Sequence, residues 1–487
     1  MIFNSLDFAI FLPIVFLLYW FVTNKNLWMQ NFLIVISSYI FYGWWDWRFL
    51  SLMLFSTVLD YACGVALGRN EDKRTRNLIL GISLFCNLGL LMFFKYFNFF
   101  LDSFEGAFSL FGQEIELGTL NIILPVGISF YTFQTLSYTI DVYRRDLKPT
   151  SDFMAFTAYV TFFPQLVAGP IERATHLLPQ FYKHRVFDYN KSVDGLRQIL
   201  WGLFKKVVIA DNCAEFANII FNNSGDYSGS TLVLGAIFFT FQIYGDFSGY
   251  SDIAIGTSRL FGFDLMQNFA FPYFSRDIAE FWRRWHISLS TWFRDYLYIP
   301  LGGSKGGTWM KVRNTFIIFL VSGFWHGANW TFIAWGALNA IYFLPLLLAN
   351  KNRQNLGIVA QGRILPSFRE FFGILTTFML TVLAWIFFRA DSIGHAFNYI
   401  GAIFTNQLFS APYIVEAESG LHILPKMVIL LIILFVFIEW TGREGRYAIE
   451  KTFINQPKFF RWGFYYFISM IIFLYGGKSQ DFIYFQF

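Results

Sequence analysis

Apolar residues in this chain come in blocks, not in the strict alternation of half-buried strands or the one-sided stripes of soluble helices. Runs of spanning or near-spanning length occur at 6–22, 30–42, 48–67, 77–99, 121–141, 153–168, 203–221, 230–258, 314–330, 331–349, 371–388, 425–440 and 463–477. A helix that crosses a bilayer needs about 20 such residues. The longer runs therefore predict crossings, and the shorter ones predict tilted or re-entrant segments. The pattern predicts an all-α, multi-pass integral membrane protein with about 11 transmembrane helices plus re-entrant and interfacial helices. No internal repeat or low-complexity linker interrupts it, so residues 1–487 read as a single membrane domain. The first block, MIFNSLDFAIFLPIVFLLYWFV, has no basic leader and no small-residue cleavage site, and reads as a retained span.

Between the blocks, charge sorts by side. GRNEDKRTRN (68–77), YRRDLK (143–148), NKNRQN (350–355) and the stretch from Arg443 to Arg461 are basic, as cytoplasmic loops are. Asp102, Glu105, Glu114 and Glu116 share a loop near 102–116 without a basic residue, and 391–422 holds acids and histidines but no Lys or Arg, so both face outward. Threading these constraints puts the N-terminus outside, Lys25 inside and the tail after 477 outside. Residues 170–200 are too polar to span and are expected to lie along the membrane or dip into it.

Composition narrows the class further. The chain is 56% hydrophobic and only 14% charged, where a soluble domain carries about a quarter. The net charge of +5 gathers in loops and not on a nucleic-acid-binding face. Cys63, Cys86 and Cys213 lie in or beside apolar segments without metal-ligand spacing. A soluble catalytic domain and a nucleic-acid partner are excluded on these grounds, and the odd number of cysteines argues against a full disulfide framework; membrane lipids are the surroundings.

Against that background a few polar residues stand where lipid should exclude them. VSGFWHGANW (321–330) places His326 in an apolar block, between Trp325 and Gly327, with Gly323 and Gly327 expected to leave open space beside it. An ionisable group at membrane depth lines a polar cavity or does work; the alternative is a core histidine bonded to a carbonyl. His286 lies in FWRRWHISLS, inside a stretch (268–313) that mixes rings with seven Lys and Arg residues and suits a helix and loop at the cytoplasmic interface. On a continuous helix it would stand one turn from Trp282 and from Ser290. His176, His184, His395 and His422 read as solvated. In IYGDFSGYSDIAIG (243–256), Asp246, Ser248, Ser251 and Asp252 are too many polar groups for a lipid-facing helix. They pair with arginines such as Arg283 or Arg284 as a buried brace, or line a polar passage. PLGGSKGG (300–307) offers backbone N–H groups and Lys305 to a phosphate.

Neither histidine belongs to an H-x-x-x-H or H-E-x-x-H pattern, so no metal is expected, and no G-x-S-x-G elbow is present. What remains is imidazole as general base, neutral near pH 7 and able to take a proton from a hydroxyl that attacks an acyl carbon. A cavity between helices would shield the activated acyl group from water.

WRRWHISLSTWFRDYLYIPLGG, YGDFSGYSDIAIG, GFWHGANW, FFPQLVAGPI and the closing FIYFQF together resemble the membrane-bound O-acyltransferases. The likeness is to the bacterial branch that contains the alginate and peptidoglycan O-acetylation membrane proteins, and it runs the length of the chain. It implies a ring of tilted helices around a thinned centre with a central tunnel. His326 matches the family's catalytic histidine and His286 its second motif histidine. Asp246, Ser248, Asp252, Trp325, Asn329, Arg283 and Arg284 are then tunnel or supporting residues.

The resemblance further implies acetyl-CoA as a cytoplasmic donor with no tightly bound cofactor, an extracytoplasmic O-acetyltransferase partner acting on a cell-surface polysaccharide, and a place in the bacterial cytoplasmic (inner) membrane. In related systems a C-terminal aromatic motif is proposed to carry the acyl group on its tyrosine. Tyr484 would do so here, its phenol needing a nearby base; the alternative is a tail that packs on the outer rim. Two rivals stay open. One is a D-alanyl transferase of teichoic acid fed by a phosphopantetheine-bearing carrier. The other is an ion or solute transporter through Asp246, Asp252 and His326, although the chain lacks paired halves with matching broken segments.

Overall fold

A computed structural model describes residues 1–110, 112, 115, 118–404, 407–415, 422–476 and 480–483. Among the described residues the chain is helical nearly throughout, and the only strands are a short antiparallel ribbon pairing Ile414–Val415 with His422–Ile423. Five helices among the described residues are long and apolar enough to cross a membrane: Trp47–Arg69, Lys73–Ser109, Gly229–Leu260, Trp330–Leu348 and Phe368–Arg389. Other apolar blocks fold as shorter pieces. The 203–221 block, for instance, runs from an α-helix into a π-helical stretch, Phe204–Ala210, and then into Asp211–Asn222.

Polar residues at the block edges decide where helices begin. Asn26, Asp72, Asp152 and Ser392 each accept a backbone N–H from the first turn, and Ser367 forms a reciprocal capping box with Glu370. Two expected loops are in fact partly helical. Asp102 and Glu105 ride on the helix Phe97–Leu110, while Glu114 and Glu116 lie outside the described residues. Ser392 starts a helix, Ile393–Ile403, within 391–422.

The chain divides into two compact units, Met1–Gly195 with Thr257–Met266, and Leu196–Gly256 with Gln267–Phe487. The first unit is tied by long-range bonds. Tyr19 Oη donates to the Phe261 carbonyl at 3.1 Å, and Trp20 Nε1 to that of Leu260 at 2.9 Å. Its buried Asp60 accepts from Ser83, Asn87 and Thr139 on neighbouring helices, so interhelical hydrogen bonds satisfy the carboxylate away from lipid.

The second unit contains both histidines of interest. Its helices Gly307–His326 and Trp330–Leu348 are consecutive, joined by a three-residue turn at 327–329, and pack closely along their length. That packing corrects the expectation for the glycines. A Cβ on Gly323 would collide with the Phe332 carbonyl, and one on Gly327 with the Phe332 ring. They bring the second helix against the first, and Phe332 fills the space at each glycine.

Candidate active site

The chain is broken at His286. Ile278–Arg284 ends, His286 turns through left-handed backbone (φ 44°, ψ 56°), and Ile287–Phe293 begins. The continuous helix expected across this stretch is therefore absent: Trp282 belongs to the first helix, while His286 caps the second, one turn from Ser290, whose N–H donates to the His286 carbonyl at 3.0 Å. Such a conformation is unfavourable for a non-glycine residue and persists only where neighbours enforce it. Here the enforcer is Asn268. Its carbonyl accepts from Ile287 N–H at 2.9 Å, while Ala270 N–H donates to the Arg284 carbonyl at 3.0 Å on the other side of the break.

The Asn268 side chain then sets the proton on the ring. Asn268 Oδ1 lies 3.3 Å from Ser288 N, 2.9 Å from Ser288 Oγ and 3.1 Å from His286 Nδ1, and Nδ2 donates to Ser251 Oγ at 3.1 Å. The Ser288 backbone N–H can only donate, which identifies the atom it meets as the amide oxygen. His286 Nδ1 must then donate as well, and the lone pair sits on Nε2. The imidazole is 1% exposed, and burial pushes its pKa down to about 3. It is a neutral ring of fixed tautomer at any physiological pH.

His326 is the last residue of its helix and is 3% exposed. Aromatic rings enclose it: Trp325, Trp335 and Phe388 stand edge-on with centroids at 5.0, 5.2 and 5.4 Å. Trp335 stacks on Trp385 at 5.5 Å. The Trp325 ring also lies 6.1 Å from His286, so one indole touches both imidazoles.

Both histidines line one cavity of about 410 Å³. Its walls include Trp282, Trp285, Leu289, Phe293, Ile318 and Phe319, and its exposed end carries Arg294, Ser304, Asn350 and Arg353. Along the Gly307–His326 helix, Lys311, Thr315, Ile318, Ser322 and His326 all face the cavity. From Lys311 to His326 that stripe extends about 22 Å at 1.5 Å per residue. The site thus has a cationic mouth, an apolar throat and an imidazole-bearing floor. That shape suits an anionic carrier with a long arm and a reactive end that must stay dry.

The remaining sequence candidates fall into other places. Arg283 and Arg284 pair with neither Asp246 nor Asp252. Arg283 donates to the Asn352 and Asn355 carbonyls, both at 2.7 Å, and so pins the loop that forms the mouth. Arg284 bonds Glu280 and the Ala270 and Gly357 carbonyls. The partners of the acids are Lys205, 2.5 Å from Asp252, and Lys206, 2.8 Å from Asp246. The brace is real, but its cations come from the 203–221 block, where two lysines inside an apolar run were the signal to follow.

Ser248 Oγ donates to the Tyr244 carbonyl of its own helix. Asn329 caps the helix Trp330–Leu348 and donates to the Asp391 carbonyl. Lys305 is not on the cavity wall, although its neighbour Ser304 is. Tyr484 lies outside the described residues. Sequence reading missed Asn268, whose importance is visible only once 268 and 286 are brought together.

Comparison with known proteins supplies a family. Residues 144–388 match the model of the membrane-bound O-acyltransferase family. The probable alginate O-acetylase AlgI of Pseudomonas aeruginosa is 40% identical over 463 residues, covering 94% of this chain and 83% of that protein. A peptidoglycan O-acetyltransferase of Helicobacter pylori is 36% identical over 418 residues, covering 80% and 77%. A teichoic acid D-alanyltransferase of Streptococcus thermophilus is 29% identical over 322 residues, covering 60% and 75%. On the family match and the 40% identical relative, this chain belongs to the membrane-bound O-acyltransferase family and is an acyltransferase.

Proposed function

We propose that this protein is an O-acetyltransferase of the bacterial inner membrane that moves an acetyl group from cytoplasmic acetyl-CoA toward hydroxyls of a cell-surface polysaccharide. The observation that carries the reading is the cavity: a basic mouth, formed partly by the 350–355 loop that charge places inside, leads to two buried imidazoles. About eleven crossings around a central tunnel and a single acyltransferase domain complete the proposal. The family match, which takes in residues of both compact units, supports that domain.

In this reading Arg294, Lys311 and Arg353 hold the phosphates of the donor, and the apolar throat takes its pantetheine arm. The thioester comes to rest between the histidines. His326 removes the proton of an attacking hydroxyl, whose oxygen bonds to the acetyl carbon as the C–S bond breaks. The imidazolium then returns its proton to the departing thiolate. His286, held by Asn268, presents Nε2 as a second acceptor for hydrogen bonds at the floor. Tyr484 is the proposed intermediate acceptor, passing the acetyl group to an extracytoplasmic partner that acts on the polymer. Trp325 orients both imidazoles through its ring contacts.

D-alanyl transfer from a carrier protein is the second reading, favoured by the teichoic acid relative. Family membership leaves transport of an ion or solute without support. The test is to supply protein in lipid nanodiscs with labelled acetyl-CoA, with and without a carrier protein. Carrier-independent acetyl transfer that vanishes in His326→Ala, with the variant still folded, is the expected result. Transfer only from a charged carrier would establish the second reading, and transfer retained in His326→Ala would remove that residue from the chemistry.

A further inference from the structure

The cation–carboxylate cluster around Lys206 is not used by the chemistry at the histidines. Lys206 Nζ lies 2.8 Å from Asp211 Oδ1 and 2.8 Å from Asp246 Oδ1. The three residues are 1%, 3% and 2% exposed in that order. Two carboxylates face one cation in the interior, an imbalance that is tolerable only where further hydrogen-bond donors meet the carboxylates. Those donors come from the last described residues of the chain. Ile483 N–H donates to Asp246 Oδ2 at 2.6 Å. Gln480 N–H donates to Asp211. In return Lys206 Nζ donates to the Gln480 carbonyl at 3.0 Å.

All three bonds address main-chain atoms, so the cluster reads the path of the segment and not its side chains. Specific packing enters through Phe482, whose ring lies 4.4 Å from Tyr250 and 6.2 Å from Phe247. Phe247 in turn stands edge-on to the His286 imidazole at 4.6 Å. Upstream, Asn212 Nδ2 donates to the Tyr475 carbonyl at 2.9 Å, holding the end of the helix from which the segment departs.

We propose that Lys206, Asp211 and Asp246 form a latch that docks residues 480–483 by their main chain and fixes their register beside the wall bearing Phe247 and His286. This makes the three side chains positioning residues for the Tyr484 relay, and in that respect the inference rests on the proposed function. The residue after Ile483 is Tyr484, so a slip of one residue would carry the phenol about 3.3 Å along an extended chain. A displacement of even 1 Å is enough to slow a transfer by about 100-fold.

Asp246→Ala would remove one of the two carboxylates that meet the buried Lys206 and risks misfolding, so the decisive variants lie in the tail. Gln480→Pro and Ile483→Pro each delete one N–H while leaving the latch intact, and Gln480→Ala keeps it. Each protein, in nanodiscs, is treated with carboxypeptidase and weighed by intact-mass spectrometry, and acetyl transfer from acetyl-CoA is measured in parallel. Wild type and Gln480→Ala should retain 480–483. The proline variants should be trimmed through them, with kcat reduced about 100-fold and KM for acetyl-CoA unchanged. Proline variants as resistant to digestion as wild type would overturn the latch, and trimmed variants with wild-type kcat would overturn its positioning role. Tyr484→Phe separates the two proposals: retained transfer in a protein whose tail stays docked refutes the relay and leaves the latch standing.

Discussion

Replacing Asn268 by leucine removes the amide that holds the His286 ring in its orientation and tautomer, and keeps the main-chain carbonyl that accepts from Ile287. The substitution is nearly isosteric, so little volume changes, but four hydrogen bonds made by the amide disappear. Three buried groups, the Ser288 N–H, the Ser288 hydroxyl and the His286 Nδ1–H, lose their shared acceptor. At about 1 kcal/mol for each bond, and more where a buried donor stays unsatisfied, the loss is about 3–5 kcal/mol. That is a large fraction of the 5–15 kcal/mol typical of a folded domain.

The kinetic effect is separate. With Nδ1 released, the ring is free to rotate and to take the other tautomer, so kcat should fall while KM for the donor stays within about twofold. Asn268→Asp tests the electrostatic part. A carboxylate at this distance stabilises the protonated ring, raising the His286 pKa and adding a titration to the pH–rate profile. The assays are thermal unfolding followed by tryptophan fluorescence and acyl transfer at saturating donor. An Asn268→Leu protein with wild-type stability and kcat would refute the assignment of Asn268 as the residue that fixes the ring.

Other consequences are open to the same kind of check. Burial lowers the His286 pKa from 6.5 to about 3, so between those values the unfolded chain binds a proton that the folded one does not. Its contribution to stability is complete above pH 6.5 and declines as pH falls toward 3. His286→Gln should flatten that part of the stability curve, and an unchanged slope would contradict it. Arg353→Gln or Lys311→Gln should raise KM for an anionic donor about two- to fivefold at low salt and less at high salt, with kcat unaffected; equal KM values at both ionic strengths would show that the mouth does not read charge. Gly323→Ala should destabilise the pair of helices that carries His326 by about 1–3 kcal/mol, visible as a lower unfolding temperature, because the obstructing atom is a backbone carbonyl that cannot rotate away.

How far the sequence reaches differs from residue to residue. His326 was legible because an imidazole in an apolar block has few uses, and Asp246 because a carboxylate on an enclosed helix must face protein; 83% of that helix's apolar window is buried. The break at His286 was not legible. Helical periodicity runs smoothly through FWRRWHISLS, and only the bond from residue 287 back to residue 268 reveals the turn. The partners of the aspartates were misassigned for a related reason. Arginines in a conspicuous cluster drew attention, whereas Lys205 and Lys206 sit in a run whose mean character is apolar. Gly323 and Gly327 show the limit of reading small residues, since a missing side chain equally allows a ligand or another part of the protein to approach, and here it is Phe332, by its carbonyl at Gly323 and its ring at Gly327.

The bonds from Tyr19 and Trp20 to the carbonyls of Phe261 and Leu260 have a consequence for biogenesis. These partners are separated by 242 and 240 residues, so the segment that carries Tyr19 and Trp20 leaves the ribosome about half the chain's length before its hydroxyl and indole find acceptors. Until then those groups must be satisfied by water, by lipid headgroups or by a chaperone. Closing so long a loop is entropically slow, and the ten residues from Thr257 to Met266 complete a unit whose other part ended at Gly195. A nascent chain arrested before residue 257 would therefore hold an unfinished first unit, exposed to the quality-control proteases of its membrane.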